Sequence, residues 1–155
     1  MDADELVSKY NAGDRDFRWS ELPQGDLTGA NLMEADLAES DLTEAQLSRA
    51  DLHMANLTQA NLSGANLSWA ILSWANLSGA RFGGADLSMA NLTGARLIGA
   101  NLTGATLRLA DLRWANLRGA ILDEADLSLA DLSPEQIALA QSRTGAILPN
   151  GTVHE

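Results

Sequence analysis

Leu or Phe stands at every fifth residue from Phe17 to Leu132 without a gap, and only Phe17 and Phe82 of these are not Leu. Two residues before each, Ala recurs at every step from Ala45 to Ala130. Gly25 and Ser40 hold that place earlier, and Arg15 and Ser20 mark a degenerate start. Asp or Asn dominates between the two, so the unit reads Ala-Asp/Asn-Leu followed by two variable residues, as in Ala55-Asn56-Leu57-Thr58-Gln59. A five-residue period suits neither standard element. On an α-helix each successive Leu would advance by roughly 140° and no stripe would form. On a flat strand an odd period would send successive leucines to opposite faces. The chain must therefore turn within every unit. Ala and Leu, two apart, share one side of a short extended segment, the Asp or Asn between them points outward, and the last two positions make the bend. Gly fills the second bend position at Gly29, Gly64, Gly79 and several later units, where a positive φ carries no steric cost.

This pattern resembles the pentapeptide-repeat family over roughly three quarters of the chain. The resemblance implies an all-β fold: a right-handed quadrilateral parallel β-helix with four units per coil. About six coils would stack to about 29 Å at the strand spacing of a sheet. Leu and Ala would fill the interior, and neighbouring coils would satisfy one another's backbone.

A stacked solenoid exposes apolar cross-sections at its ends. Residues 1–13 are expected to form a helical cap, with acids in its first turn, Leu6 and Tyr10 on one face, and Ala12-Gly13 as a stop. Residues 14–133 are the repeat. Residues 134–155 are expected to form a second helical cap and tail: Ser133-Pro134-Glu135-Gln136 carries an N-cap Ser, a Pro at the first helical position and a capping-box Gln. That helix is expected to run to about Gln141 and to present Ile137 with Leu139 or Ala140 to the last coil, ahead of a turn at Asn150-Gly151. Both termini resemble those of cyanobacterial members of the family, over a shorter match.

Composition changes the picture in three ways. The chain has no cysteine, which removes disulfides, thiolate metal sites and cysteine nucleophiles. No basic-then-apolar leader opens the chain and no window is apolar enough to span a bilayer, so a cytoplasmic protein that does not engage a membrane is expected. The net charge of −11 disfavours direct nucleic-acid binding. Most of that charge lies early: residues 1–51 hold 13 acids and 4 bases, residues 52–155 hold 8 and 6.

Nothing in the pattern points to catalysis, a cofactor or a metal. The aspartates fill the repeat slot, as turn-forming side chains do. His53 sits in a repeat slot read as exposed, and His154 lies in the tail, so the two form neither a cluster nor a nucleophile–base pair. The glycines follow the repeat and form no phosphate-binding fingerprint. An enzyme is not expected.

With four units per coil, residues twenty apart stack in columns. The second bend positions of two columns are mostly polar or small. The other two run Gly29, Arg49, Trp69, Met89, Leu109, Leu129 and Glu34, Met54, Trp74, Gly94, Trp114, Pro134. Ile71 falls between Trp69 and Trp74 in a slot usually held by Asp or Asn. Met54, Trp69, Ile71, Trp74, Met89, Leu109 and Trp114 are therefore the candidate protein-binding residues. The alternative is that bulky bend residues merely shield the backbone. Arg108, Arg113 and Arg118 occupy first bend positions of consecutive units, with Arg81 and Arg96 earlier. Two functions follow. One is a non-catalytic interaction or regulatory scaffold that binds an unidentified protein or a second copy of itself as a homodimer. The other comes from the resemblance: the quinolone-resistance branch of the family mimics DNA and occupies its site on gyrase. Against it, residues 52–122 hold only Asp86 and Asp111 against five arginines.

Overall fold

The computed structural model describes residues 1–155. Each fifth residue from Asp16 to Asp111 forms a parallel bridge with the residue twenty positions later, beginning with Asp16 to Asp36 and ending with Asp111 to Asp131. Four five-residue units therefore complete one coil, and the columns inferred from spacing are real neighbours.

One unit explains why the chain repeats as it does. In Ala55–Gln59 all five amides are used. The Ala55 amide closes a turn onto the Leu52 carbonyl at 3.0 Å, and the Asn56 amide donates to Ala35 in the preceding coil at 2.9 Å. Leu57 and Gln59 donate to Asn76 and Ser78 in the following coil at 2.8 and 3.0 Å. That leaves the Thr58 amide, which points away from both coils and donates to the Asn56 side-chain Oδ1 at 3.1 Å. Buried or half-buried backbone donors need partners, and the Asp/Asn slot supplies the one the coils cannot. Every Asp or Asn in that slot from Asp16 to Asp126 accepts the amide two residues on. Glu21 departs from the rule at no cost, because the residue two on is Pro23, which has no amide hydrogen.

The leucines and alanines of the repeat, with Phe17 and Phe82, form one buried cluster, against which the partly buried Ala30 and Leu132 pack. Helix α1, Ala3–Asn11, starts on the Asp2 carboxylate, which accepts the Glu5 amide at 2.8 Å. Its buried Leu6 and Tyr10 join the core, and the Tyr10 hydroxyl donates to the Met33 carbonyl at 2.9 Å. Helix α2, Pro134–Ala138, carries the expected capping box between Ser133 and Gln136. The Gln136 side-chain amide also donates to the carbonyls of Leu112 and Ala115 at 2.8 and 2.9 Å. The Ala115 carbonyl is the one a further coil would use, while the Leu112 carbonyl also closes its own turn with the Ala115 amide.

The C-terminal region differs from the sequence expectation. Helix α2 ends at Ala138, short of Gln141, because the Gln141 amide returns to the coil and donates to Ala120 at 2.7 Å. Ile137 and Ala140 are buried, whereas Leu139 is exposed. Pro134 opens the helix and so does not extend the Glu34 column. The tail resumes the coil: Ser142 bridges Ile121 and Ile147 bridges Asp126, each now 21 residues apart. Ala146 takes the buried Ala slot, and an antiparallel bridge from Ile147 to Val153 ends the chain. No helix is long and apolar enough to cross a membrane.

Candidate interaction surface

Every second bend residue from Trp19 to Leu129 has φ between 57° and 71°. This left-handed region suits glycine and burdens other residues by about 1 kcal/mol or more. The turn hydrogen bond from Ala to Leu three residues earlier, with a left-handed residue in the third position, is the type II arrangement. No Val, Ile or Thr occupies this position anywhere in the repeat, consistent with the particular penalty on β-branched side chains there.

Two columns carry glycine through later coils, at Gly79, Gly99, Gly119 and at Gly64, Gly84, Gly104, the second closing on Glu124. The other two carry large side chains instead, apart from Gly29 and Gly94. Trp69, Met89, Leu109 and Leu129 stand in one, and Met54, Trp74 and Trp114 in the next, all left-handed and all exposed. Trp69 is 54% accessible, Trp74 58% and Trp114 81%. Ile71 lies between the first two at 37%. An Ile side chain accepts no hydrogen bond, so the Ser73 amide lacks the side-chain acceptor that Asp or Asn supplies in this slot elsewhere.

The side chains lean toward the following coil. A methyl added to Gly94 would stand 2.5 Å from the Trp74 indole, so that glycine makes room for the ring. The Arg49 guanidinium lies 5.8 Å from the Trp69 ring centre. Trp114 has no coil residue to lean on, because the chain leaves for α2 at Ser133, and it borders a shallow cleft with Leu132 and Gln136. Backbone shielding thus accounts for part of Trp74 and for little of Trp114.

His53 is half-buried rather than exposed, and its Nδ1 lies 2.7 Å from the Ser73 hydroxyl. His154 accepts from the Arg143 Nε at 3.1 Å. No three His, Asp or Glu side chains converge in metal-binding geometry.

Two further large apolar side chains are exposed: Leu129, at the end of the Trp69 column, and Trp19, which stands in a mostly polar column at 61% accessible. A repeated tetrapeptide signals the second: Asp16-Phe17-Arg18-Trp19 and Asp111-Leu112-Arg113-Trp114. In both, the Arg pairs with the Asp two residues earlier through two hydrogen bonds of 2.7–2.9 Å. It also reaches the Asp of the next coil, Asp36 at 3.9 Å and Asp131 at 3.7 Å. The Arg18 hydrogen bond holds the Asp16 carboxyl down at about 2, and Arg113 lowers Asp111 in the same way.

The pentapeptide-repeats family profile matches in eight copies, over residues 16–45, 40–79, 70–108 and 110–133. The chain belongs to the pentapeptide-repeat family. As a pentapeptide-repeat protein it is a right-handed quadrilateral β-helix, in a family without an indicated catalytic activity. A pentapeptide-repeat protein from the Arabidopsis thaliana thylakoid lumen is 32% identical, with 73% of this chain and 72% of that one covered and a TM-score of 0.51. HetL, a pentapeptide-repeat protein involved in heterocyst differentiation regulation in the cyanobacterium Nostoc sp. strain PCC 7120, is 29% identical. That match covers 99% of this chain and 100% of HetL, with a TM-score of 0.31. QnrB1, a plasmid-mediated fluoroquinolone resistance protein, is 19% identical over 82% of this chain and 78% of its own, with a TM-score of 0.47. Among curated proteins, none matches.

Proposed function

We propose that this pentapeptide-repeat protein is a cytoplasmic, non-catalytic binding scaffold, a stack of about six coils closed by a helix at each end. Its recognition surface comprises Met54, Trp69, Ile71, Trp74, Met89, Leu109 and Trp114, and its partner is a protein rather than a nucleic acid or a membrane. One observation carries the reading. Large apolar side chains occupy exposed left-handed positions where the neighbouring columns use glycine. The fold gains little from a mostly solvated Trp in strained backbone, so the side chain serves chiefly what lies outside. Ile71 adds to this: it forgoes a backbone-satisfying side chain for an apolar one.

The test is co-purification from the native cell with the parent and with Trp69→Ser/Trp74→Ser/Trp114→Ser. A partner retained by the parent and lost by the variant, at unchanged thermal stability, is expected. Identical recovery by both chains would reject the surface. The gyrase reading finds no favouring observation, since residues 52–122 hold only Asp86 and Asp111 against five arginines.

A further inference from the structure

The face between the Glu34 column and the Trp19 corner carries a gradient of charge along the solenoid. Its central positions, in order of coil, are Asp16, Asp36, Asn56, Asn76, Arg96 and Asn116. At the N-terminal end, Asp16 and Asp36 share Arg18, and the exposed Glu34 flanks them. That end therefore holds an excess of carboxylate. At the C-terminal end, Arg96 and Arg118 are exposed, and neither forms an ion pair with any carboxylate. Between the two ends the face is uncharged, with Asn56 and Asn76 beside the exposed Met54 and Trp74.

From this gradient we infer that the face pairs with a second copy of the chain, the two solenoids running antiparallel. A two-fold axis across the face, midway between the Asn56 and Asn76 coils, sets each level against its mirror level. Asp36 then meets Arg96 of the other copy, and Arg96 meets Asp36, as an isologous interface requires. Met54 meets Trp74 twice across the axis. Arg118 arrives opposite Arg18, whose charge the adjoining Asp16 and Asp36 more than offset. Asp36 and Arg96 are three coils apart, about 14 Å at the strand spacing, so every contact falls within the straight repeat and none needs an end helix. A heterologous partner would need the same gradient reversed, and this chain already offers it. Charge complementarity of this kind sets register and orientation, and the apolar centre supplies the desolvated contact. The inference rests on the reading of Met54 and Trp74 as recognition residues. It leaves Trp69 and Ile71, on the adjoining face, free for another protein.

Sedimentation equilibrium of the full chain tests it, using Arg96→Glu, Asp36→Arg and the double variant. The Asp36 slot accepts arginine, as Arg81 and Arg96 demonstrate elsewhere. The parent should sediment at twice its 16.4 kDa mass. Each single reversal should weaken association on the order of tenfold, and the double reversal should restore it. A monomeric parent, or a dimer indifferent to both reversals and to Trp74→Ser, overturns the pairing. A monomeric parent that still loses a co-purifying protein with Trp69→Ser/Trp74→Ser/Trp114→Ser sinks the dimer while the recognition surface stands.

Discussion

The Gly79–Gly99–Gly119 column and the Trp69–Met89–Leu109 column follow the same backbone, with φ of 66–71° in the first and 59–60° in the second. Their hydrogen bonds match: Gly79 donates to Ile98 at 2.9 Å, Trp69 to Ser88 at 3.0 Å. Only the side chains differ. Identical turns are thus built with no side chain at one corner and with an indole at the next. What varies between the corners is what the surface presents and the strain each side chain carries, while the coil's hydrogen bonding is the same.

The largest effect that sharpens this contrast lies within one unit. Leu72 is fully buried and Ile71, its neighbour, faces out. Leu72→Ala should cost about 3 kcal/mol in urea unfolding, the usual cost of a core cavity. Ile71→Asn should instead gain about 0.5–1 kcal/mol by giving the Ser73 amide its acceptor, while weakening partner recovery. Loss of stability in Ile71→Asn would mean that the residue serves the coil after all.

A smaller effect separates strain from crowding. Gly99 has nothing near its missing side chain, so Gly99→Ala should cost about 1 kcal/mol from its positive φ alone. Gly94→Ala should cost about 2 kcal/mol, because it also displaces the Trp74 ring. Equal thermal shifts in the two variants would show that Trp74 does not rest on Gly94 in solution.

The smallest effect is in acid. The Ser128 hydroxyl donates to the Asp126 carboxylate at 2.6 Å and lowers its pKa, against a weaker opposing effect of burial. Thr43 does the same for Asp41. A depressed folded pKa contributes stability that is present above the unfolded value of about 3.9 and lost as pH falls through the folded one. Melting temperatures should therefore drop as the pH falls below about 4. The drop should be smaller in Asp41→Asn/Asp126→Asn, which keeps the backbone acceptor, as Asn56 and Asn101 do. An unchanged acid slope in that variant would place the sensitivity elsewhere.

Much of this architecture is legible before any coordinates. A strict five-residue pattern of Ala and Leu admits few foldings, and spacing of twenty sorts the surface into columns that the bridges reproduce. The end of the chain was not legible. Arg143 stands in the Leu place of the resumed coil and closes its turn onto Ala146, so the leucine signal is missing where the repeat returns. Gln141 and Ser142 together do the work of one residue, Gln141 donating to Ala120 and Ser142 accepting from Leu122, and this extra residue breaks the register that a column count relies on. Periodicity also says nothing about lean: that Trp74 covers Gly94 rather than Met54 depends on the direction of its side chain, which spacing does not encode.

The bridge between residues twenty apart makes sequence length an address. Gaining or losing twenty residues within the repeat would lengthen or shorten the rod and leave every downstream side chain on its original side. A change of five would swing everything beyond it through a quarter turn. Trp114 would then part from Trp74, and Arg96 from Asp36, although no residue had been substituted. In such a molecule, insertions and deletions are the mutations that rewrite a surface, and point changes only edit it.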